Sequence, residues 1–304
     1  MNKVLVIGSL NIDMVAAVDK IPGKGETVLA SNIERFDGGK GANQAAAGCK
    51  FGAEVSIIGA VGNDEDGKAL MERMQGMGID VTGVKLREKE KTGTAWITVD
   101  LKGENSIVVI SGANRTLDKE AIDDNEALFR EADVVLLQLE IPVETAAYAI
   151  NKAKENGCKV ILNPAPAVKL DRDILGKVDI ITPNESELDI LVKGKRGCSC
   201  LEKAQELIGE GPANVICTLG AEGALLVNKE GHVKFPAFPV NAVDTTGAGD
   251  CFNGVLAAEL SNNKSIESAI ETAVIASALS VTEKGAQSSM PGRQDVDNIK
   301  TIKF

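Results

Sequence analysis

The chain has 304 residues, of which 44% are hydrophobic and 25% are charged, and its formal net charge is −11. This length suits one large α/β domain or two smaller ones with a sizeable core. A nucleic-acid groove needs a concentrated basic face, and no dense Lys/Arg block is present, so no nucleic-acid partner is expected. The first apolar run, in KVLVIGSL, is too short for a signal peptide or a membrane span. We therefore expect a cytoplasmic protein without a membrane partner.

Strand and helix patterns alternate along most of the chain. KVLVIGSL and EVSIIGAVG are typical of buried strands, and NQAAAGCKFG and DGKALMERMQGMG are typical of helices that end at glycine. The same alternation returns from DVVLLQLE to NVICTLG. Repeated β-α-β units favour a three-layer αβα, Rossmann-like fold around a mostly parallel sheet.

Two stretches depart from this rhythm. Residues 14–36 alternate without a good helix, and residues 92–114 are typical of a hairpin with a turn at KGEN. We interpret both as strands of a small antiparallel sheet that forms a lid. The predicted core then comprises residues 1–13, 37–91 and 115–304, and the predicted lid comprises 14–36 and 92–114.

The scarcity of histidine limits the chemistry. The only histidine is His232, so multi-histidine metal sites are excluded, and acid–base catalysis is expected to use a carboxylate, a lysine or a cysteine. The six cysteines lie mostly in apolar patterns and are interpreted as small buried thiols.

A glycine-rich segment, GGKGANQAA, precedes the first predicted helix. Glycines 38, 39 and 41 allow close approach of the backbone to a ligand, and Asn43 lies where the helix begins. Taken alone, the segment equally fits a loop that only caps the helix. It is not a Walker phosphate loop, because Gly41 rather than Ser or Thr follows Lys40.

A second glycine-rich segment, DTTGAGD, precedes the apolar run CFNGVLAAEL. Backbone N–H groups at a helix N-terminus attract anions, and Asp250 would stand beside such an anion. The carboxylate is ordinary as a helix cap, but it is also well placed to take a proton from an attacking hydroxyl group. This arrangement is what phosphoryl transfer requires.

Taken together, these loops resemble those of the ribokinase or PfkB-type carbohydrate kinase family over essentially the full chain. The residues that carry the resemblance are GSLNIDMV, GGKGANQA, NPAPA, PNESE, TLGAEG, DTTGAGDCFNG and KGAQSSMP. The resemblance implies Asp250 as the general base. It also implies the sugar-binding residues Asn11, Asp13, Gly39, Lys40, Gly41, Asn43, Glu140 and Asp250.

The same resemblance implies ATP, Mg²⁺ and K⁺ as cofactors. Its nucleotide-binding positions are Asn184, Thr218, Leu219, Gly220, Ala221, Glu222, Gly223, Gly249 and Asp250. The anion hole for the γ-phosphate corresponds to the backbone of Thr246, Gly247, Ala248 and Gly249. Glu187 is linked to Mg²⁺, and the K⁺ positions are Asp244, Thr246, Ser280, Glu283, Gly285 and Ser289. In this family the lid also implies a homodimer.

The expected activity is ATP-dependent phosphorylation of D-ribose at O5 to give D-ribose 5-phosphate. Another acceptor, such as deoxyribose, fructose or a nucleoside, is the alternative. GGKGAN together with NID favours a small furanose, and the low aromatic content, 3%, argues against a pocket that stacks a nucleoside base. A sugar-binding protein without transfer activity is disfavoured, because Asp250 and the glycine loop are intact.

Overall fold

A computed structural model of the chain describes residues 2–192 and 197–302, without the side chain of Ile302. The strands are β1 (Lys3–Ile7), β2 (Asn11–Val18), β3 (Ala30–Gly38), β4 (Glu54–Gly62), β5 (Asp80–Arg87), β6 (Gly93–Val99), β7 (Asn105–Ile110), β8 (Val134–Leu137), β9 (Lys159–Leu162), β10 (Ile180–Ile181), β11 (Asn214–Thr218), β12 (Ala224–Asn228) and β13 (Gly231–Phe235).

The helices follow most of these strands. They are α1 (Lys40–Lys50), α2 (Glu65–Gly76), α3 (Lys119–Asp123), α4 (Glu126–Glu131), α5 (Val143–Glu155), α6 (Arg172–Leu175), α7 (Glu185–Leu191), α8 (Cys200–Ile208), α9 (Ala248–Ser261), α10 (Ile266–Ser280) and α11 (Arg293–Ile302). Short 3₁₀ helices cover Gly112–Thr116 and Gly220–Glu222.

In the described part of the chain, a nine-stranded sheet has the order β13-β12-β11-β10-β9-β8-β1-β4-β5. The pairs from β11 to β5 are parallel, whereas β12 and β13 pair antiparallel at one edge. Two separate apolar clusters cover the sheet: helices α1, α9 and α10 contribute to one, and α5 and α8 to the other. The predicted three-layer α/β fold is therefore confirmed.

A second sheet, made of four of the described strands, has the order β3-β2-β6-β7. Its outer pairs, β2–β3 and β6–β7, are antiparallel as expected, but its central pair, β2–β6, is parallel. Connectivity permits this, because β3, α1, β4, α2 and β5 separate β2 from β6 and no tight turn joins the two strands. Strand β2 begins at Asn11 and strand β3 ends at Gly38, so the sheet extends into residues 11–13 and 37–38, which the sequence assigned to the core.

Small residues bring α1 and α9 into close contact. A Cβ atom on Gly254 would lie 2.4 Å from the backbone oxygen of Gln44 and 2.6 Å from the Ala47 Cβ. Only glycine permits this approach, because any side chain at that position would separate the helices. The close packing places the start of α1 beside the start of α9, and the candidate site lies at this junction.

Within residues 2–192 and 197–302, no helix is long and apolar enough to cross a membrane.

Candidate active site

Asp250 lies in the first turn of α9 and is 7% exposed. Its two carboxylate oxygens each accept a hydrogen bond from a side-chain amide of α1. Asn43 donates from Nδ2 to Oδ2 at 2.9 Å, and Gln44 donates from Nε2 to Oδ1 at 3.0 Å. Both donors are neutral, so they orient the carboxylate without cancelling its charge.

Acidic side chains and one lysine surround this carboxylate. Burial disfavours the charged form of Lys40, but the carboxylates of Asp250, Glu140, Glu187 and Asp13 outweigh burial and raise its pKa. The ammonium group of Lys40 is therefore held in its charged form between the residues predicted to bind the sugar and those predicted to face the phosphates. A cation there is suited to attract the transferred phosphoryl group.

Asp13 is the most strongly perturbed carboxyl group of the cluster. Burial, together with the charges of Glu140, Asp250 and Asp37, raises its pKa from 3.8 to about 7, while Lys40 opposes the shift. Gly38 makes the room that this side chain needs, since a Cβ there would lie 2.3 Å from the carboxylate atoms of Asp13. A buried carboxyl group of this kind, poised near neutrality, is typical of functional sites.

The other predicted sugar residues are held by the loops between β1 and α1. Glu140 accepts from Ser9 Oγ at 2.5 Å, and Asn11 Oδ1 accepts from Asn114 Nδ2 at 2.7 Å. Gly39 has φ 88°, and a Cβ there would lie 2.7 Å from the Asn11 amide nitrogen. The glycines thus allow α1 to begin directly against the β1–β2 backbone, which brings Asn43 and Lys40 under the lid.

The start of α9 has the geometry expected of an anion site. Gly247 caps the helix in a left-handed conformation (φ 76°). The first intrahelical hydrogen bond runs from Cys251 N to Gly247 O at 2.8 Å. The amides of Gly249 and Asp250 precede that bond and point out of the helix. Of the predicted anion-hole amides, Thr246 N donates to Asp244 Oδ1 at 2.9 Å and Ala248 N to Thr245 O at 3.3 Å.

A cleft of about 630 Å³ opens beside this helix terminus. The predicted nucleotide residues that line it are Asn184, Thr218, Gly220, Ala221, Gly223 and Gly249. Leu219 instead packs on the core, and Glu222 forms an exposed ion pair with Lys234 at 2.6 Å. The cleft walls are mainly apolar and small, which suits the flat face of a nucleotide base.

Glu187 and Asn184 form the N-terminal capping box of α7. Glu187 N donates to Asn184 Oδ1 at 2.8 Å, and Asn184 N donates to Glu187 Oε2 at 2.9 Å. The pKa of Glu187 is raised above its ordinary value by burial, although the hydrogen bond from Asn184 and the charge of Lys40 oppose this shift. Asn184 lines the nucleotide cleft, and Glu187 lines a second cavity of about 550 Å³ together with Lys40 and Glu140. The capping box therefore lies between the two cavities.

The predicted cation residues fall on two adjacent segments. Asp244 accepts from Thr246 N and, across the gap, from Gly285 N, both at 2.9 Å, and Ser289 Oγ donates to Gly285 O at 2.6 Å. Burial opposes ionisation of Asp244, but these amide bonds prevail and lower its pKa. Ser280 is buried and donates to Ser277 O at 2.9 Å, whereas Glu283 is exposed.

Several site residues were not identified from the sequence. Gln44, Gln138 and Asn163 form a buried amide network next to Asp250, and Asn114 fixes Asn11. The only sequence signal of Gln44, Gln138 and Asn163 was a polar residue at the start of a helix or just after an apolar strand, whereas Asn114 lies in the polar segment SGANRT. The apolar wall of the nucleotide cleft was also missed: it consists of Ala237, Phe238, Pro239, Val240, Ala242, Val274, Ala278 and Val281, with Ser277 among them.

The site combines a buried carboxylate beside a helix N-terminus, a nucleotide-sized cleft on one side and polar residues suited to a sugar on the other. This combination defines a kinase for a hydroxylated acceptor. Residues 1–293 match the pfkB family carbohydrate kinase model. The chain belongs to this family.

Individual relatives agree with that assignment. The chain is 42% identical to a ribokinase of Haemophilus influenzae over 292 residues, covering 95% of each protein. It is 38% identical to a deoxyribokinase of Salmonella typhi over 291 residues, again covering 95% of each. The structure of an Arabidopsis thaliana ribokinase complexed with ribose and ATP superposes with a TM-score of 0.90 at 33% identity, covering 99% of this chain and 98% of that one.

Proposed function

We propose that this carbohydrate kinase transfers the γ-phosphoryl group of ATP to O5 of D-ribose, giving D-ribose 5-phosphate and ADP. The observation that carries the proposal is Asp250, a buried carboxylate fixed by two amide donors at the mouth of an anion-binding helix terminus. The similarity to ribokinases over nearly the whole chain supports ribose as the acceptor.

In the proposed mechanism Asp250 acts as the general base. It takes the proton of the ribose 5-hydroxyl group while the oxygen attacks the γ-phosphorus, and the bond to the β-phosphate oxygen breaks in line. The amides at the start of α9, chiefly those of Gly247 and Gly249, bind the transferred group, and Lys40 adds a positive charge. Thr246 and Ala248 join this anion hole only by exchanging their present acceptors, Asp244 Oδ1 and Thr245 O, for phosphate oxygens.

The sugar is held by Asn11, Asp13, Asn43 and Glu140, with the backbone of Gly39 to Gly41 beneath it. Asp13, Asn43 and Asn11 are at least nine-tenths buried, and the two amides are already fixed by hydrogen bonds with Asp250 and Asn114. Ribose hydroxyl groups suit Asp13 and the remaining amide positions, since each hydroxyl group is both a donor and an acceptor. Ionised Asp13 accepts from a hydroxyl group, and protonated Asp13 donates to one.

The nucleotide occupies the cleft beside α9, with its phosphates at the α9 terminus. No cluster of three or more His, Cys, Asp or Glu suited to a metal is found in the described residues. An Mg²⁺ ion bound with the nucleotide would retain several waters. Asn184 lines the nucleotide cleft and shares the α7 capping box with Glu187, so these two residues would hold the ion. Mg²⁺ supplies charge neutralisation on the phosphates when it is bound.

A K⁺ site is proposed between residues 244–246 and 280–289. The fit rests on the donor set, which is wholly oxygen, and on Asp244, whose carboxylate ties the two segments through the Thr246 and Gly285 amides. Carbonyl oxygens that are fixed in this way suit a weakly hydrated monovalent cation. The cation supplies positive charge beneath the anion hole when it is bound.

The lid, formed by residues 14–36 and 92–114 with the flanking ends of β2 and β3, covers the sugar and provides a homodimer contact. Several of its apolar side chains are exposed: Trp96 48%, Val108 61% and Ile110 52%. Val109 lines the cavity that contains Lys40 and Glu140, so its strand neighbours Val108 and Ile110 face away from the site. An apolar outer face of this kind fits a second copy of the same sheet.

Deoxyribose is the second candidate acceptor. It is favoured because the identity to a deoxyribokinase, 38%, is almost as high as the identity to the ribokinase, 42%. The two sugars differ in one hydroxyl group, and a site that hydrogen-bonds that group would discriminate strongly against its loss.

An ADP-release assay with ribose, deoxyribose, fructose and adenosine, each with and without K⁺, tests the proposal. We expect the highest kcat/KM for ribose and a stimulation by K⁺. A higher kcat/KM for another acceptor would overturn the assignment to ribose and leave the kinase chemistry in place.

A further inference from the structure

Gln44 contacts the proposed base but is too deeply buried to contact a substrate. Its side chain is 0% exposed and lines neither the nucleotide cleft nor the cavity around Lys40. Its Nε2 donates to Asp250 Oδ1 at 3.0 Å and to Asn163 Oδ1 at 3.1 Å. Both protons of this amide are therefore directed at oxygen acceptors, one of them the carboxylate.

Gln138 determines which end of the Gln44 amide faces Asp250. Gln138 Nε2 donates to Gln44 Oε1 at 2.5 Å, so the oxygen of Gln44 is turned away from the carboxylate and its NH₂ group towards it. Gly8 leaves space for this, because a Cβ there would lie 1.9 Å from Gln138 Oε1. The orientation of the Gln44 amide is thus set by this hydrogen bond, while Gln138 Oε1 itself is buried without a hydrogen-bond partner among the described residues.

The same network returns to the backbone next to Asp250. Asn163 Nδ2 donates to Thr182 O at 3.2 Å, Thr182 Oγ1 donates to Asn253 Oδ1 at 2.6 Å, and Asn253 Nδ2 donates to Gly249 O at 2.8 Å. All of these side chains are less than a tenth exposed. The side chain of Asp250 and the backbone of its helix terminus are consequently connected to one rigid polar frame.

We propose that Gln44, oriented by Gln138, is a positioning residue that fixes the rotation of the Asp250 carboxylate for attack by the acceptor hydroxyl group. The inference rests on the proposed role of Asp250. A neutral amide suits the task, because a lysine or arginine at this position would form an ion pair and reduce the basicity of the carboxylate. Asn43 holds the other oxygen but also borders the sugar, so Gln44 is the contact dedicated to positioning.

Two substitutions at Gln44 separate positioning from packing. Gln44→Met keeps the volume and removes both donors, and we expect kcat to fall about 10- to 100-fold while KM for the sugar and for ATP changes less than about threefold. In an Asp250→Asn background the same substitution should have almost no further effect on kcat, because there is no base left to position. The exposed Gln75, changed to Glu, is the matched control and should leave all constants unchanged.

Gln44→Glu adds a readout that depends on pH. The new carboxyl group keeps the shape of glutamine but donates to Asp250 only when protonated. The ratio of wild-type to variant kcat should therefore decrease as the pH is lowered. The other titratable groups that face Asp250, namely Lys40, Asp13, Glu187 and Cys251, are common to both proteins and cancel in this ratio.

Thermal unfolding is measured for every variant. Where a Gln44 variant fails to fold, Gln138→Met is tested instead, because it leaves Gln44 in place but frees the Gln44 amide to rotate. The inference would be overturned if kcat of Gln44→Met stayed within twofold of the wild-type value. It would also be overturned if Gln44→Met lowered kcat by the same factor in the Asp250→Asn background as in the wild type. Wild-type turnover of ribose tests the proposed function separately, because the variant ratios are measured with whichever acceptor the wild-type protein phosphorylates.

Discussion

The side-chain amide of Asn43 donates to Oδ2 of Asp250 at 2.9 Å, although 207 positions separate the two residues in the chain. Asn43 lies at the start of α1 and Asp250 at the start of α9, so the contact joins the predicted sugar loop to the predicted phosphate loop. It exists because Gly254 lets the two helices pack closely. In the proposed mechanism, this hydrogen bond would link binding of the acceptor to its deprotonation.

Gly249 allows a test of the anion site without damage to the fold. A Cβ on Gly249 would meet no protein atom within 4 Å, so Gly249→Ala should fold normally. The methyl group would instead occupy the space that a phosphate needs at the helix terminus, and we expect KM for ATP to rise at least about tenfold. Gly76→Ala, at an equally open helical glycine in α2, is the control and should leave KM unchanged. An unaltered KM in Gly249→Ala would contradict the proposed phosphate position.

Asp13 should make the unliganded protein less stable as the pH rises. Its pKa is 3.8 as an ordinary group and about 7 in the fold, so the folded state binds the proton more tightly than the unfolded state. The stabilisation from that proton is complete below about pH 4 and is lost as the pH rises through about 7, at up to ~1.4 kcal/mol per pH unit. Asp13→Asn removes this dependence. The free energy of unfolding is measured with urea for both proteins from pH 5 to 8. The wild type should lose stability relative to Asp13→Asn as the pH rises, and parallel curves would exclude the effect.

Asp244 should matter for both stability and the response to K⁺. Asp244→Ala leaves the amides of Thr246 and Gly285 without their acceptor, which should cost about 1–3 kcal/mol of unfolding free energy. Because the two segments are no longer tied, stimulation by K⁺ should be lost as well. Replacement of the exposed Asp19 by Ala is the control. A variant that is still stimulated by K⁺ with the wild-type half-saturation would place the cation elsewhere.

The outer face of the lid predicts the oligomeric state. Val108 is 61% exposed and points away from the cavity, opposite Trp96 in the sheet register. Val108→Asp should convert a dimer to a monomer in sedimentation velocity, because a charge in an apolar interface is not compensated. Lys102→Asp, at the exposed hairpin turn, should leave the dimer intact. A wild-type protein that sediments as a monomer at micromolar concentration would remove the basis for this prediction.

The sequence was sufficient for those features that depend on local pattern. The alternation of strands and helices, the lid hairpin and the glycine-marked start of α9 were all predicted, because periodicity and turn residues determine them. The parallel β2–β6 pair was not, since strand pairing depends on which distant segments meet. The same limit applies to Gln44 and Gln138: one follows Asn43 at a helix start and the other follows an apolar strand, and only the packing of α1 against α9 reveals what each contacts.

The most direct test of the central claim, that Asp250 is the base of a sugar kinase, is kcat for Asp250→Asn alongside calorimetric measurement of sugar binding. An asparagine keeps the shape and one of the two accepted hydrogen bonds but cannot take the proton, so kcat should fall by about 10²–10⁴ while the sugar Kd changes only a few-fold. Turnover within tenfold of wild type, with sugar binding intact, would contradict the assigned role.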